Sequence, residues 1–130
     1  MKKIFLLFLI AIMLCSCSSE AKEGRYSITV SMQMVDNNHV GNSWSKEIWC
    51  EDQKIYSGST VTAPNKFTVY VDITENDEYD DTGSGVFTFS KIAVGSSKSI
   101  TETVYVKENR GQYAGNTATW RVTVTARRVS

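Results

Sequence analysis

The sequence predicts an all-β fold, a single antiparallel β-sandwich of about seven or eight strands. Three observations carry this. Beyond residue 17, apolar residues recur with period two in run after run, the spacing that turns one face of a strand inward. Clusters of Gly, Asn, Asp and Ser separate the runs at short intervals. No apolar period of helical spacing and length interrupts the series.

The first run, RYSITVSMQMV, sets Tyr26, Ile28, Val30, Met32 and Met34 on one face and Ser27, Thr29, Ser31 and Gln33 on the other. In SKEIWCE, Ile48 and Cys50 oppose Glu47, Trp49 and Glu51. Short strands are expected around Lys54 to Tyr56 and Thr60 to Thr62. KFTVYVDI turns Phe67, Val69, Val71 and Ile73 inward. GVFTFSKIAV, SITETVYVKE and TATWRVTVTARR complete the set, and in the last of them Trp120, Val122 and Val124 share a face. DNNHVGNS, SGS, APN, DDTGSG, GSS and NRGQYAGN read as the connections. The one proline, Pro64, is expected in a connection, because a proline inside a strand removes a ladder donor.

The N-terminus has a different character. Met1, Lys2 and Lys3 form a positive start, followed by an unbroken apolar run of eleven residues, Ile4 to Leu14. A helix that crosses a bilayer needs about 20 residues, so this run suits the core of a secretory signal. It ends in Leu14-Cys15-Ser16-Cys17, with Leu three places before Cys17 and a small residue just before it. This stretch resembles the lipobox of bacterial lipoproteins. The resemblance covers residues 1–17 and implies removal of a signal peptide, residues 1–16, with acylation of Cys17. Acyl chains contribute about 0.8 kcal/mol per buried CH₂, so a multiply acylated Cys17 would anchor the chain to a membrane without spanning it. The implied location is the bacterial cell envelope, on the outer membrane in a Gram-negative host, since Ser18 is not the Asp that marks inner-membrane retention. Residues 17–24 are then a short lipidated tether and residues 25–130 the sandwich. The seven residues SSEAKEG reach at most roughly 25 Å when extended.

Processing also sets the cysteine and charge balance. If the resemblance holds, Cys15 leaves with the signal and Cys17 becomes a thioether, so Cys50 would remain alone and the mature chain would form no internal disulfide. The fourteen Lys and Arg lose Lys2 and Lys3, leaving twelve basic side chains against fourteen acidic ones. That near balance argues against a nucleic-acid surface, which needs a basic excess.

Groups for catalysis are scarce. The one histidine, His39, lies in a turn, and Cys50 shares the face of Ile48 as a small buried residue. One His and one Cys cannot assemble a metal cluster of the zinc type, and no glycine-rich loop opens a helix. The acids crowd one loop instead of facing each other across a cleft, as glycoside hydrolysis requires. The expected role is therefore non-catalytic: a binding or interaction module with a protein or glycan partner.

Two groups of residues bear on the ligand. Six carboxylates fall within ten residues: Asp72, Glu75, Asp77, Glu78, Asp80 and Asp81. Calcium prefers six to eight hard oxygen ligands and accepts them from loops, which marks Asp72, Asp77, Asp80 and Asp81 as candidate calcium ligands. The stretch DITENDEYD resembles the metal loop of C-two-type calcium- and phospholipid-binding sandwiches, with Asp72 and Asp80 on two family positions and Thr74 where the family has an acid; the acids that family draws from its first loop would fall on Asp36 here. The β pattern is similar to immunoglobulin-like sandwiches as well. A solvated hairpin connection is the competing reading. A third is internal pairing with Arg110 of ENRGQYAGN, a loop that a sandwich can bring to the same end. The second group is aromatic: the strand phases point Trp49, Tyr70 and Tyr105 outward, where rings can stack on the faces of sugars.

Overall fold

A computed structural model describes residues 22–130 of the protein; the signal segment, Cys17 and most of the tether lie outside the described residues. Eight strands follow one another: β1 (Glu23–Asn37), β2 (Trp44–Cys50), β3 (Gln53–Ile55), β4 (Ser59–Pro64), β5 (Lys66–Glu75), β6 (Asp81–Ser90), β7 (Ser97–Lys107) and β8 (Thr117–Arg128). They form two four-stranded antiparallel sheets, in the orders β4-β1-β8-β7 and β3-β2-β5-β6. The all-β sandwich expected from the alternation is the architecture observed.

Alternation places the core. Tyr26 and Ile28 of β1, Phe67, Val69, Val71 and Ile73 of β5, Phe87 and Phe89 of β6, and Val122 and Val124 of β8 are buried between the sheets. Tyr26 meets Phe67 across the layer with ring centroids 4.6 Å apart, and Phe67 stacks on Phe89 at 5.6 Å. The outer face of the β4-β1-β8-β7 sheet is a hydroxyl ladder: Ser99 bonds Thr125 at 2.7 Å and Thr101 bonds Thr123 at 2.8 Å.

The structure departs from the expected boundaries in four places. DDTGSG is not a turn, because β6 begins at Asp81 and carries Gly83 and Gly85 inward. These glycines serve close approach: a Cβ on Gly83 would collide with the Tyr105 carbonyl oxygen and stand 2.8 Å from its carbon. That absence of a side chain lets β6 of one sheet close against β7 of the other. At its far end β6 stops at Ser90, and Lys91 turns the chain away with φ 56°. Pro64 is the last residue of β4, an edge strand, where it interrupts no central ladder. β1 also starts at Glu23, two residues before the expected start of the domain.

The two ends of the sandwich differ. At one end, Arg25 N donates to Ser130 O and Val129 N donates to Arg25 O, so the start of β1 is pinned beside the C-terminus. At the other end lie three loops: 38–43 between β1 and β2, 76–80 between β5 and β6, and 108–116 between β7 and β8. The 15 residues of β1 separate the two ends by roughly 50 Å at ~3.3 Å per residue.

Candidate functional site

Three strands deliver carboxylates to the loop end on their inward faces. The inward series of β5 runs Phe67, Val69, Val71, Ile73 and then Glu75. On β6 it starts with Asp81, and on β7 the series Val104, Val106 continues to Glu108 just beyond the strand. Glu75, Asp81 and Glu108 are the buried charged side chains of the described residues, exposed by 3%, 4% and 8%. Asp81 is satisfied: Asn109 donates to it through Nδ2 at 2.6 Å and through its backbone N at 3.4 Å. Glu75 is not: its Oε2 is buried without a hydrogen-bond partner, and the side chain its carboxyl meets is another acid, Asp77.

Glu75, Asp77 and Glu108 can each offer one carboxylate oxygen such that all three lie within 4.8 Å of one another. Burial pushes the Glu75 carboxyl above the usual range, and the neighbouring Asp77, Glu108 and Asp81 push it the same way. Burial also raises Glu108, opposed by a backbone hydrogen bond from Arg110 and reinforced by Asp81 and Asp77. No Lys, Arg or His among the described residues forms an ion pair with these acids; the Lys54–Glu47 bridge, at 3.3 Å, lies elsewhere. Lys46, on β2, sits over the Trp120 ring, 4.8 Å from its centroid.

The loop 38–43 is shaped around this cluster. Asn37 holds it by accepting from Val40 N at 3.0 Å and donating to Gly41 O at 2.7 Å. Gly41 has φ 139°, and a Cβ there would stand 2.6 Å from the Glu75 carboxyl carbon. Only glycine leaves room for that carboxylate. Beside it, His39 stacks on Tyr113 at 4.8 Å, and both line an open cleft of about 330 Å³ with Asn37, Gly41 and Asn42.

The acids singled out from sequence are mostly dispersed. Asp72 stands within β5, facing out, and accepts from Ser84 Oγ at 2.6 Å. Thr74, the neighbouring position of the C-two resemblance, bonds Thr82 at 2.8 Å on that outer face. Asp80 accepts from Asp77 N at 3.1 Å and Asp77 from Tyr79 N at 2.6 Å, which shapes the tip of the loop. Asp36 is exposed on β1, next to a register shift between Met34 and Asp36. Of the expected set only Asp77 joins the three-carboxylate group; Glu75 and Glu108 complete it. Continuing the alternating phase past Ile73 and Val106 would have found both. The loops do share an end, but Arg110 stacks over the Tyr79 ring at 4.1 Å instead of pairing with a carboxylate.

The aromatic residues divide between the sheets. Trp49 and Tyr70 are register partners on the outer face of the β3-β2-β5-β6 sheet, and the same row continues to Lys54 on one side and Val86 on the other. The Trp49 Nε1 donates to Glu47 Oε2 at 3.4 Å, while Tyr70 and Val86 are exposed by 39% and 51%. Tyr105 is 62% exposed but belongs to β7 of the other sheet, where it pairs with Thr119. It therefore shares no face with the pair. Cys50 is buried and unpaired, and burial, aided by Glu51, pushes its thiol up to about 11.

No protein family matches the chain, and no curated protein is significantly similar to it.

Proposed function

We propose that the chain is a lipid-anchored, non-catalytic module of the bacterial envelope that binds a glycan through the outer face of its β3-β2-β5-β6 sheet. The observation that carries the glycan reading is the Trp49–Tyr70–Val86 row with polar rows on both sides. Glu47, Asp72 and Ser84 align on one flank, and Thr68 and Thr88 on the other. A sugar presents a CH face that stacks on an aromatic ring and hydroxyls at its rim that need hydrogen-bond partners. An aromatic strip between rows of carboxylate and hydroxyl groups offers both. A sheet face, held by its ladder hydrogen bonds, accepts an extended chain of sugars with little rearrangement, which limits the entropy lost on binding.

The anchor reading comes from the lipobox-like Leu14-Cys15-Ser16-Cys17. With β1 starting at Glu23, five residues separate Cys17 from the sheet, a reach of at most roughly 18 Å. The tether would enter the sandwich beside the C-terminus, at the end opposite the three loops.

The test is a glycan array followed by titration of intrinsic tryptophan fluorescence with the best binder. Wild-type protein is expected to bind, Trp49→Ala and Tyr70→Ala to lose at least tenfold in affinity, and Tyr105→Ala to bind like wild type. Absence of any glycan signal, or binding indifferent to Trp49 and Tyr70, overturns the proposal.

A further inference from the structure

We propose that Glu75, Asp77 and Glu108 form a binding site for a hard divalent cation, calcium by size, at the three-loop end of the sandwich. The inference rests on geometry and on an unsatisfied buried group. Three oxygens around one calcium at 2.3–2.6 Å can stand up to about 4.0–4.5 Å from one another, and the three carboxylates offer oxygens within 4.8 Å of each other, so small side-chain shifts would bring them onto one ion. Magnesium demands near-ideal octahedral geometry at about 2.0–2.1 Å and keeps several waters, which a site of three carboxylates suits less well.

Glu75 supplies the independent reason to expect an ion. Glu75 is 3% exposed and gives an oxygen to the group; its Oε2 has no hydrogen-bond partner, and the side chain its carboxyl meets is another acid, Asp77. A buried carboxylate oxygen without a partner is among the more costly groups a fold can hold. Asp81, the adjacent buried acid, shows the contrast, since Asn109 satisfies it from two directions. Nothing comparable reaches Glu75 from the described Lys, Arg or His residues. A divalent cation would neutralise the mutual repulsion of the three acids and give the Glu75 carboxylate the partner it lacks. With no His or Cys in the group, the donors are all oxygen, which suits calcium and not zinc or copper. Bidentate carboxylates, loop carbonyls and water would complete six to eight ligands. The space Gly41 leaves for the Glu75 carboxyl belongs to the same arrangement. The site lies apart from the aromatic face, so its failure and the failure of the glycan reading are separate results.

The experiment uses the full chain, stripped with chelator and then melted in chelator, in millimolar calcium and in millimolar magnesium. Calcium at a tenfold excess over Kd is expected to raise Tm by about 5 °C, and magnesium by clearly less. Terbium, a luminescent stand-in for calcium, should be sensitised by Trp44, the register partner of Glu75, and be displaced by calcium. Glu75→Gln and Asp77→Asn should lose both responses, whereas Glu78→Gln, which removes a charge from the same loop outside the group, should keep them. Should Glu75→Gln fail to fold, the exposed Asp77→Asn decides. Identical melting of the wild type in calcium and chelator, with no calcium-displaceable terbium emission, overturns the proposal and leaves a proton shared within the cluster as its neutraliser. A response that survives Asp77→Asn and vanishes in Glu78→Gln overturns the ligand assignment.

Discussion

Replacing Trp120 with alanine removes the largest inward side chain of β8, a strand flanked on both sides by β1 and β7. Trp120 is 4% exposed and meets Trp44 of the opposite sheet edge-on, with centroids 5.2 Å apart. A tryptophan buries on the order of 200 Å², and at about 25 cal/mol per Å² its burial contributes about 5 kcal/mol. The indole Nε1 is buried without a partner, and the desolvation of such a donor offsets about 1 kcal/mol of that. The net expected cost of Trp120→Ala is therefore about 4 kcal/mol, within the ~3–5 kcal/mol found for such truncations. Urea denaturation followed by circular dichroism measures it. With a slope of about 1.5–2 kcal/mol per molar, the midpoint should fall by about 2–3 M. Trp120→Phe, which deletes the unpartnered donor along with one ring, should cost well under half as much. A loss below about 1 kcal/mol for Trp120→Ala would refute the reasoning, since only a surface position tolerates such a change so cheaply.

Two further outcomes follow from the same packing. Gly83→Ala should destabilise by about 1–3 kcal/mol in the same urea assay, because the added methyl meets the Tyr105 backbone, which cannot rotate away; an unchanged midpoint would mean that β6 and β7 are not in close contact. Cys50, buried with its thiol pushed up to about 11, should resist iodoacetamide at pH 8 in the native protein and react within minutes in denaturant. Mass spectrometry of the alkylated chain reads the difference, and rapid native labelling would place Cys50 at the surface.

Much of this fold is legible in the chain because period two is a local property. The series Phe67, Val69, Val71, Ile73 needs no tertiary information to declare its inward face, and the structure buries all four. Residues whose role depends on a distant strand are harder to read. Gly83 and Gly85 look like turn formers in DDTGSG, and only the approach of β7 turns them into strand residues. Trp49, Tyr70 and Tyr105 all point outward as their phases say, yet no local signal tells which of two sheets a strand joins, so Tyr105 falls on the far side. Of the three carboxylates in the group, only Asp77 is among the acids that charge density marks as metal candidates; strand phase, carried through to Glu75 and Glu108, marks the acids that turn inward. The pattern of an acid that continues a buried apolar series is more informative here than the count of acids in a loop.

The proposed role depends most on the anchor proposed at Cys17, because such an anchor would set the compartment in which both candidate surfaces act. Intact-mass and N-terminal peptide spectrometry of the protein recovered from bacterial membranes tests it most directly. The expected result is a chain that begins at Cys17, carries acyl chains on that residue and partitions with the membrane, while Cys17→Ala accumulates as an unprocessed or mislocalised precursor. A mature chain that begins at another residue, or an unmodified Cys17 that washes off the membrane as the variant does, would contradict it.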